Sequence, residues 1–136
     1  MKYIDCHTHA QFAAFKDDYE EVISRALEAG VVVVNVGTQK DTSLRAVEVA
    51  NKFPGKVYAA VGIHPIHTSK SFHDEMELGG GEAAKAFTSR GEEFDYEYYK
   101  KLALDLKVVA IGECGLDYYR MEQGAGSKEQ IEKQKE

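Results

Sequence analysis

Long apolar runs, a leader pattern and an excess of positive charge are all missing from this sequence of 136 residues. The run Val31–Val36 is far too short to cross a bilayer, so the sequence predicts no membrane partner. Asp5 and His7 interrupt any apolar segment near the start, which is not the pattern of a signal peptide. The net charge of −6 argues against electrostatic capture of nucleic acid by the fold as a whole. A polyanionic substrate would therefore need local cations, either basic side chains or bound metal.

Cysteine is also scarce, with Cys6 and Cys114 as the two examples. Their spacing does not form a zinc-finger pattern. A pair without a secretion signal is typical of free thiols in a reducing compartment, which predicts a cytoplasmic protein. We expect both to be small buried hydrophobic residues. Because each lies directly beside a candidate metal ligand, a place near a metal stays open.

The spacing of apolar and polar residues predicts four units of strand followed by helix, with parallel strands and right-handed crossovers. Asp41 is the expected N-cap of the second helix, and Ser127 with Gln130 has capping-box spacing at the start of the fourth. The predicted strands cover residues 3–6, 31–36, 57–63 and 108–111, and the predicted helices cover 17–29, 42–52, 94–105 and the region from about 128 onward.

Residues 66–93 differ from the rest of the chain, because they are mostly polar and contain three consecutive glycines at 79–81. A segment of this length predicts a surface excursion or a lid, with a short helical turn over 82–87. Hydrophobic residues make up 43% of the chain and charged residues 29%, which is ordinary for a globular protein. We therefore assign residues 1–136 to one domain that carries this excursion.

Polar side chains follow three of the predicted strands. His7 and His9 are two positions apart and share a face of the first strand. His64 ends the third strand and Glu113 follows the fourth. Parallel α/β folds place their active sites at this edge, so we expect His7, His9 and Glu113 to converge there. Two imidazoles and a carboxylate suit Zn²⁺, Mn²⁺ or a similar divalent ion, and paired ions are a recurring means of attacking phosphodiesters.

Anionic substrates have two candidate contacts, His64 and Arg120, since the planar guanidinium matches phosphate geometry. Ordinary structural interpretations stay open for each pattern. The two N-terminal histidines could be polar loop residues, Glu113 could cap the next turn, and Arg120 could be a surface cation or pair with Asp117.

Three motifs, in this order, resemble the N-terminal signatures of the TatD family of metal-dependent deoxyribonucleases, which are TIM barrels of the amidohydrolase type. They are DCHTH at residues 5–9, VGIHP at 61–65 and AIGECGLDYYR at 110–120. The resemblance covers essentially the whole chain. It implies an α/β fold that forms the N-terminal half, about four βα units, of a TIM (β/α)8 barrel.

The resemblance also implies roles by position. His7 and His9 match the first metal pair of the family. Glu113 matches a carboxylate that ligates and bridges two divalent ions, which would be Mg, Mn or Zn.

Substrate roles follow in the same way. His64 matches a His-Pro position near the substrate. Arg120 and Asp117 match the end of the Gly-Leu-Asp-Tyr motif, which implies a substrate contact for Arg120 and a substrate or ligand-supporting role for Asp117. The implied activity is cleavage of DNA phosphodiester bonds.

The same resemblance implies parts that this sequence does not contain. In the family, a second half supplies two further histidine ligands and an aspartate that activates the attacking water, whereas no histidine follows Glu113 here. We therefore expect a truncated chain that self-associates and is inactive alone. Two other hypotheses remain: a related metal hydrolase acting on an aminoacyl ester or a phosphate monoester, and a non-catalytic metal-binding remnant.

Overall fold

The computed structural model describes residues 2–70, 72–73, 87–118 and 125–136. Strands and helices alternate through these residues, as the apolar spacing predicts. The strands are β1 (Tyr3–Thr8), β2 (Val31–Val36), β3 (Val57–Val61), β4 (Phe72–His73), β5 (Phe87–Thr88) and β6 (Val108–Ile111), and the helices are α1 (Tyr19–Glu28), α2 (Lys40–Lys52), α3 (Tyr96–Ala103) and α4 (Ala125–Lys135).

The main sheet has four parallel strands in the order β1-β2-β3-β6. Each of these strands lies beside the one before it, whereas a doubly wound sheet would reverse direction at a switch point. Sequential parallel strands with helical connections form part of a TIM barrel, which confirms the predicted fold class. β4 and β5 pair separately as a short antiparallel ribbon.

The buried core lies between this sheet and helices α1 to α3. Val57, Ala59 and Val61 alternate along β3, and all three are fully buried against Ile23 of α1 and Val49 of α2. Burying a valine side chain stabilises a fold by about 1.5–3 kcal/mol. This layer fixes the strands, and the strands in turn fix the positions of the side chains at their carboxyl ends.

Helix α2 begins at Lys40, so Asp41 lies inside its first turn and the prediction of Asp41 as the N-cap is wrong. The N-cap is Gln39, and the Asp41 carboxylate accepts from the adjacent N–H of Thr42, at 2.9 Å, and from the guanidinium of Arg90. The N–H of Lys40 donates to both carboxylate oxygens of Glu92, at 3.2 and 3.1 Å. A residue far along the chain therefore caps this helix.

Helix α4 begins at Ala125, ahead of Ser127, so the predicted capping-box start at Ser127 is also wrong. Strand β3 ends at Val61, which leaves Ile63 in the turn that follows, although the predicted strand extended to residue 63.

Most of the excursion at 66–93 and most of the helical turn predicted at 82–87 lie outside the described residues. Among the described helices, none combines the length and apolar character needed to span a membrane.

Candidate metal centre

The side chains of His7, His9 and Glu113 meet beyond the carboxyl ends of β1 and β6, which confirms their predicted convergence. The Glu113 Oε1 atom lies 3.5 Å from Nε2 of His7 and 3.6 Å from Nε2 of His9. All three potential ligand atoms lie within 4.8 Å of one another. His7 lies in β1 and His9 directly follows Thr8, the last residue of that strand, and the centroids of the two rings are 5.1 Å apart.

These separations fit a divalent metal ion. Two ligand atoms that each lie about 2.1 Å from a tetrahedral ion are about 3.4 Å apart, close to the 3.5 and 3.6 Å observed. The donor set of two imidazoles and a carboxylate is one that Zn²⁺ and Mn²⁺ accept. The three side chains are therefore spaced as a group that could hold one metal ion.

The ring of His9 is oriented by its surroundings. Its Nδ1 lies 2.8 Å from the carbonyl oxygen of Val36, and this contact requires Nδ1 to carry the proton. The Nε2 lone pair of the neutral ring is then directed at the position between the ligands. The side chain of Phe12 stacks on the ring with centroids 4.4 Å apart, and buried Gln11 donates to the same Val36 carbonyl at 2.7 Å.

His64 approaches the same carboxylate from β3 with the opposite tautomer. Its Nε2 lies 3.8 Å from Oε2 of Glu113, and its Nδ1 accepts the backbone N–H of Ile66 at 3.2 Å. In the neutral ring Nε2 therefore carries the proton. His64 faces the site as a hydrogen-bond donor, whereas His9 faces it as an electron-pair donor.

The backbone of Glu113 is held from the neighbouring strands. Its N–H donates to the Gly37 carbonyl at 3.2 Å, and the N–H of Gly112 donates to Val61 at 3.0 Å. A Cβ atom at Gly62 would lie 2.7 Å from the carbonyl carbon of Gly112, so only glycine fits there. Gly62 belongs to the motif VGIHP, but the sequence alone predicts neither this contact nor the part played by Gln11. A glycine at a strand end was the available signal for the first.

A cavity of about 440 Å³ opens beside these groups and is lined by His64, Glu113, Cys114 and Asp117 among others. The N–H of Asp117 donates to the side chain of Gln134 at 2.9 Å. Cys114 is exposed and so is Cys6, which overturns the expectation that both are buried. Cys6 directly precedes His7, and Cys114 directly follows Glu113. Both cysteine side chains face solvent at these positions. Arg120 lies outside the described residues.

Comparison with known proteins gives one consistent family. The TatD related DNase family model matches residues 4–136. The chain is 38% identical over 114 residues to the 3'-5' ssDNA/RNA exonuclease TatD of Yersinia pseudotuberculosis, covering 83% of this chain and 35% of that protein. It is 34% identical over 116 residues to the uncharacterized metal-dependent hydrolase YabD of Bacillus subtilis, covering 85% of this chain and 37% of the relative.

The chain thus spans little more than a third of the length of these two relatives, 35% and 37%. Within that span the family model includes every residue of the candidate centre. The chain belongs to the TatD related DNase family.

Proposed function

We propose that this chain carries the N-terminal part of a metal-dependent hydrolase that cleaves phosphodiester bonds of nucleic acid. The observation that carries the proposal is the cluster of His7, His9 and Glu113, whose ligand atoms lie at the spacing of a metal shell. The relatives support it, since one is named as a single-stranded DNA and RNA exonuclease and another as a metal-dependent hydrolase.

The two imidazoles would hold a divalent ion through nitrogen, and the carboxylate of Glu113 would supply an oxygen ligand. We propose that the complete site would hold two ions of Mg, Mn or Zn, with Glu113 as a ligand to both. A bound ion supplies a Lewis acid that stabilises charge on a phosphoryl oxygen and lowers the pKa of water. Val36 and Phe12 keep the His9 ring turned toward this position.

The substrate lies on the His64 side of the site in this proposal. His64 donates its Nε2 hydrogen to an anionic oxygen, and Asp117 lines the same cavity. Arg120 follows in the same motif and supplies a cation for phosphate. Loss of one charged hydrogen bond to phosphate should cost about 1.5–3 kcal/mol of binding free energy.

The exposed free thiols of Cys6 and Cys114 fit a reducing compartment, so we propose that the protein is cytoplasmic.

A chimaera tests the activity directly. Residues 1–136 replace the matching segment of the Yersinia pseudotuberculosis exonuclease, and the product is assayed on 5'-labelled single-stranded DNA with Mn²⁺. We expect metal-dependent cleavage that His9→Ala and Glu113→Gln each reduce by orders of magnitude. Arg120→Ala should weaken DNA binding while metal content stays unchanged.

The same chimaera separates the other hypotheses. Cleavage of an aminoacyl ester or a phosphate monoester, without cleavage of DNA, would assign the residues to a different hydrolase. A folded chimaera that binds metal and cleaves none of these substrates would make this segment a metal-binding remnant. Either result would overturn the nuclease proposal.

A further inference from the structure

A fully buried hydroxyl lies just behind the candidate metal centre. Ser43, the fourth residue of helix α2, has no solvent-exposed surface. Its Oγ donates to the carbonyl oxygen of Gly62 at 3.1 Å and accepts the N–H of Gly62 at 3.2 Å. One side chain therefore satisfies both backbone polar groups of Gly62, the first residue after β3.

The turn after β2 lies directly against this hydroxyl, and the turns after β3 and β6 lie directly against each other. A Cβ atom at Gly37, after β2, would lie 2.3 Å from Oγ of Ser43. A Cβ atom at Gly62, after β3, would lie 2.8 Å from the carbonyl oxygen of Glu113. These approaches are closer than a side chain permits, so the glycine backbones lie directly against Ser43 on one side and Glu113 on the other.

The same turns hold two groups of the site. The Glu113 N–H donates to the Gly37 carbonyl at 3.2 Å, and the His64 N–H donates to the Thr38 carbonyl at 2.9 Å. A shift of the β2 or β3 turn would therefore move the Glu113 carboxylate relative to His7, which lies on β1.

We propose that Ser43 is a positioning residue for the metal centre, which acts through Gly62 and Gly37 on the carboxylate of Glu113. Ser43 touches neither a ligand atom nor the substrate cavity. This inference rests on the proposed metal site and adds to it the residue that sets its geometry. Supporting groups of this kind change metal affinity when they are removed, because the ligand must then be reordered on binding.

Ser43→Ala, measured by isothermal titration with Mn²⁺, is the first test. We expect the metal dissociation constant to rise about tenfold at a temperature where circular dichroism shows the variant folded. Ser24→Ala is the matched control, since the Ser24 hydroxyl donates to the Glu20 carbonyl at 2.7 Å on helix α1, away from the site. Ser43→Cys keeps a weaker donor and acceptor, and its dissociation constant should fall between those of wild type and Ser43→Ala.

The wild-type protein gives a second measurement that needs no variant. Coupling is reciprocal, so a metal that depends on the Ser43 contact must also stabilise it. Adding Zn²⁺ should slow hydrogen exchange at the Gly62 amide more than at the Ala26 amide in α1. Metal binding with unchanged Gly62 exchange, or folded Ser43→Ala with wild-type affinity, would overturn the positioning role. Absence of metal binding in wild type would instead overturn the proposed metal site on which this inference depends.

Discussion

His9 and His64 differ in which ring nitrogen carries the proton when the ring is neutral. His9 donates from Nδ1 to the Val36 carbonyl, whereas His64 accepts at Nδ1 from the Ile66 N–H. Both contacts involve main-chain atoms, so their polarity is fixed by the fold. The His-x-His spacing predicted that His7 and His9 share a direction, but no sequence pattern specifies a tautomer.

The first prediction follows from these contacts. In the neutral protein, ¹⁵N-detected NMR should show the Nδ1–H tautomer for His9 and the Nε2–H tautomer for His64. Zn²⁺ should shift the Nε2 resonance of His9 more strongly than that of His64, because only the former presents a lone pair. Identical tautomers at the two residues would remove the distinction between ligand and substrate donor.

At the scale of the elements, the turns that follow the strands position most of the side chains of the candidate metal centre. Gly62 is needed because a Cβ would lie 2.7 Å from the carbonyl carbon of Gly112, whereas a Cβ at Gly112 meets nothing within 4 Å. We predict that Gly62→Ala lowers the free energy of unfolding by about 1–3 kcal/mol and weakens Mn²⁺ binding. Gly112→Ala is the control and should change the unfolding free energy by less than about 0.5 kcal/mol. Equal effects in urea unfolding would show that the close approach does not matter.

Helix α3 provides a prediction about pH. The backbone N–H of Tyr98 holds the pKa of Asp95 below its usual range, and the Lys40 ammonium, 3.4 Å away, acts in the same direction. A carboxyl whose pKa is lowered by folding stabilises the fold above its ordinary pKa, and that contribution is lost as the pH falls through the lowered value.

Asp95→Ala should therefore melt at a lower temperature than wild type at neutral pH, and the two melting temperatures should draw together as the pH falls below the ordinary pKa of an aspartate. Asp95→Asn keeps a capping acceptor without the charge and should lose less. A difference in melting temperature that stays constant across this range would contradict the assignment of Asp95 as a charged cap.

The strands were easier to predict from the sequence than the starts of the helices. The apolar runs Val31–Val36 and Val108–Ile111 predicted those strands at their observed bounds, because β-branched apolar residues favour strands. Strand β2 is almost entirely buried, as a run without polar alternation predicts, whereas most of β6 is exposed at the edge of the described sheet. Helix starts were less predictable, since Glu92 caps α2 through tertiary contact. Ser43 and Gln11 carry no motif, and their roles depend on backbone groups that only the fold brings together.

At the scale of the whole molecule, the described sheet has two strands that pair on one side only, β1 and β6. Large apolar side chains lie exposed on these strands, with Tyr3 at 70%, Val109 at 55% and Ile111 at 65% exposure. Unpaired edges with apolar side chains favour association with another sheet. The exposed strands are consistent with the prediction of self-association, which rests on this physical argument.

We predict that the 136-residue chain forms concentration-dependent oligomers in size-exclusion chromatography with light scattering. Val109→Lys, which places a charge on β6, should shift the distribution toward monomer. Leu106→Lys changes an apolar residue that is 96% exposed but lies outside the strands, so it should have a smaller effect. A monodisperse monomer for wild type at every concentration would contradict this prediction.

Isothermal titration of the wild-type chain with Mn²⁺ tests the central claim most directly, because it measures the cluster of His7, His9 and Glu113 without requiring turnover. We predict weak binding, since three protein ligands leave the rest of the shell to water. Glu113→Gln keeps the shape of the side chain but removes its charge and should abolish measurable binding, whereas Glu28→Gln on the exposed end of α1 should leave the dissociation constant unchanged. Wild-type binding that Glu113→Gln does not weaken would contradict the account.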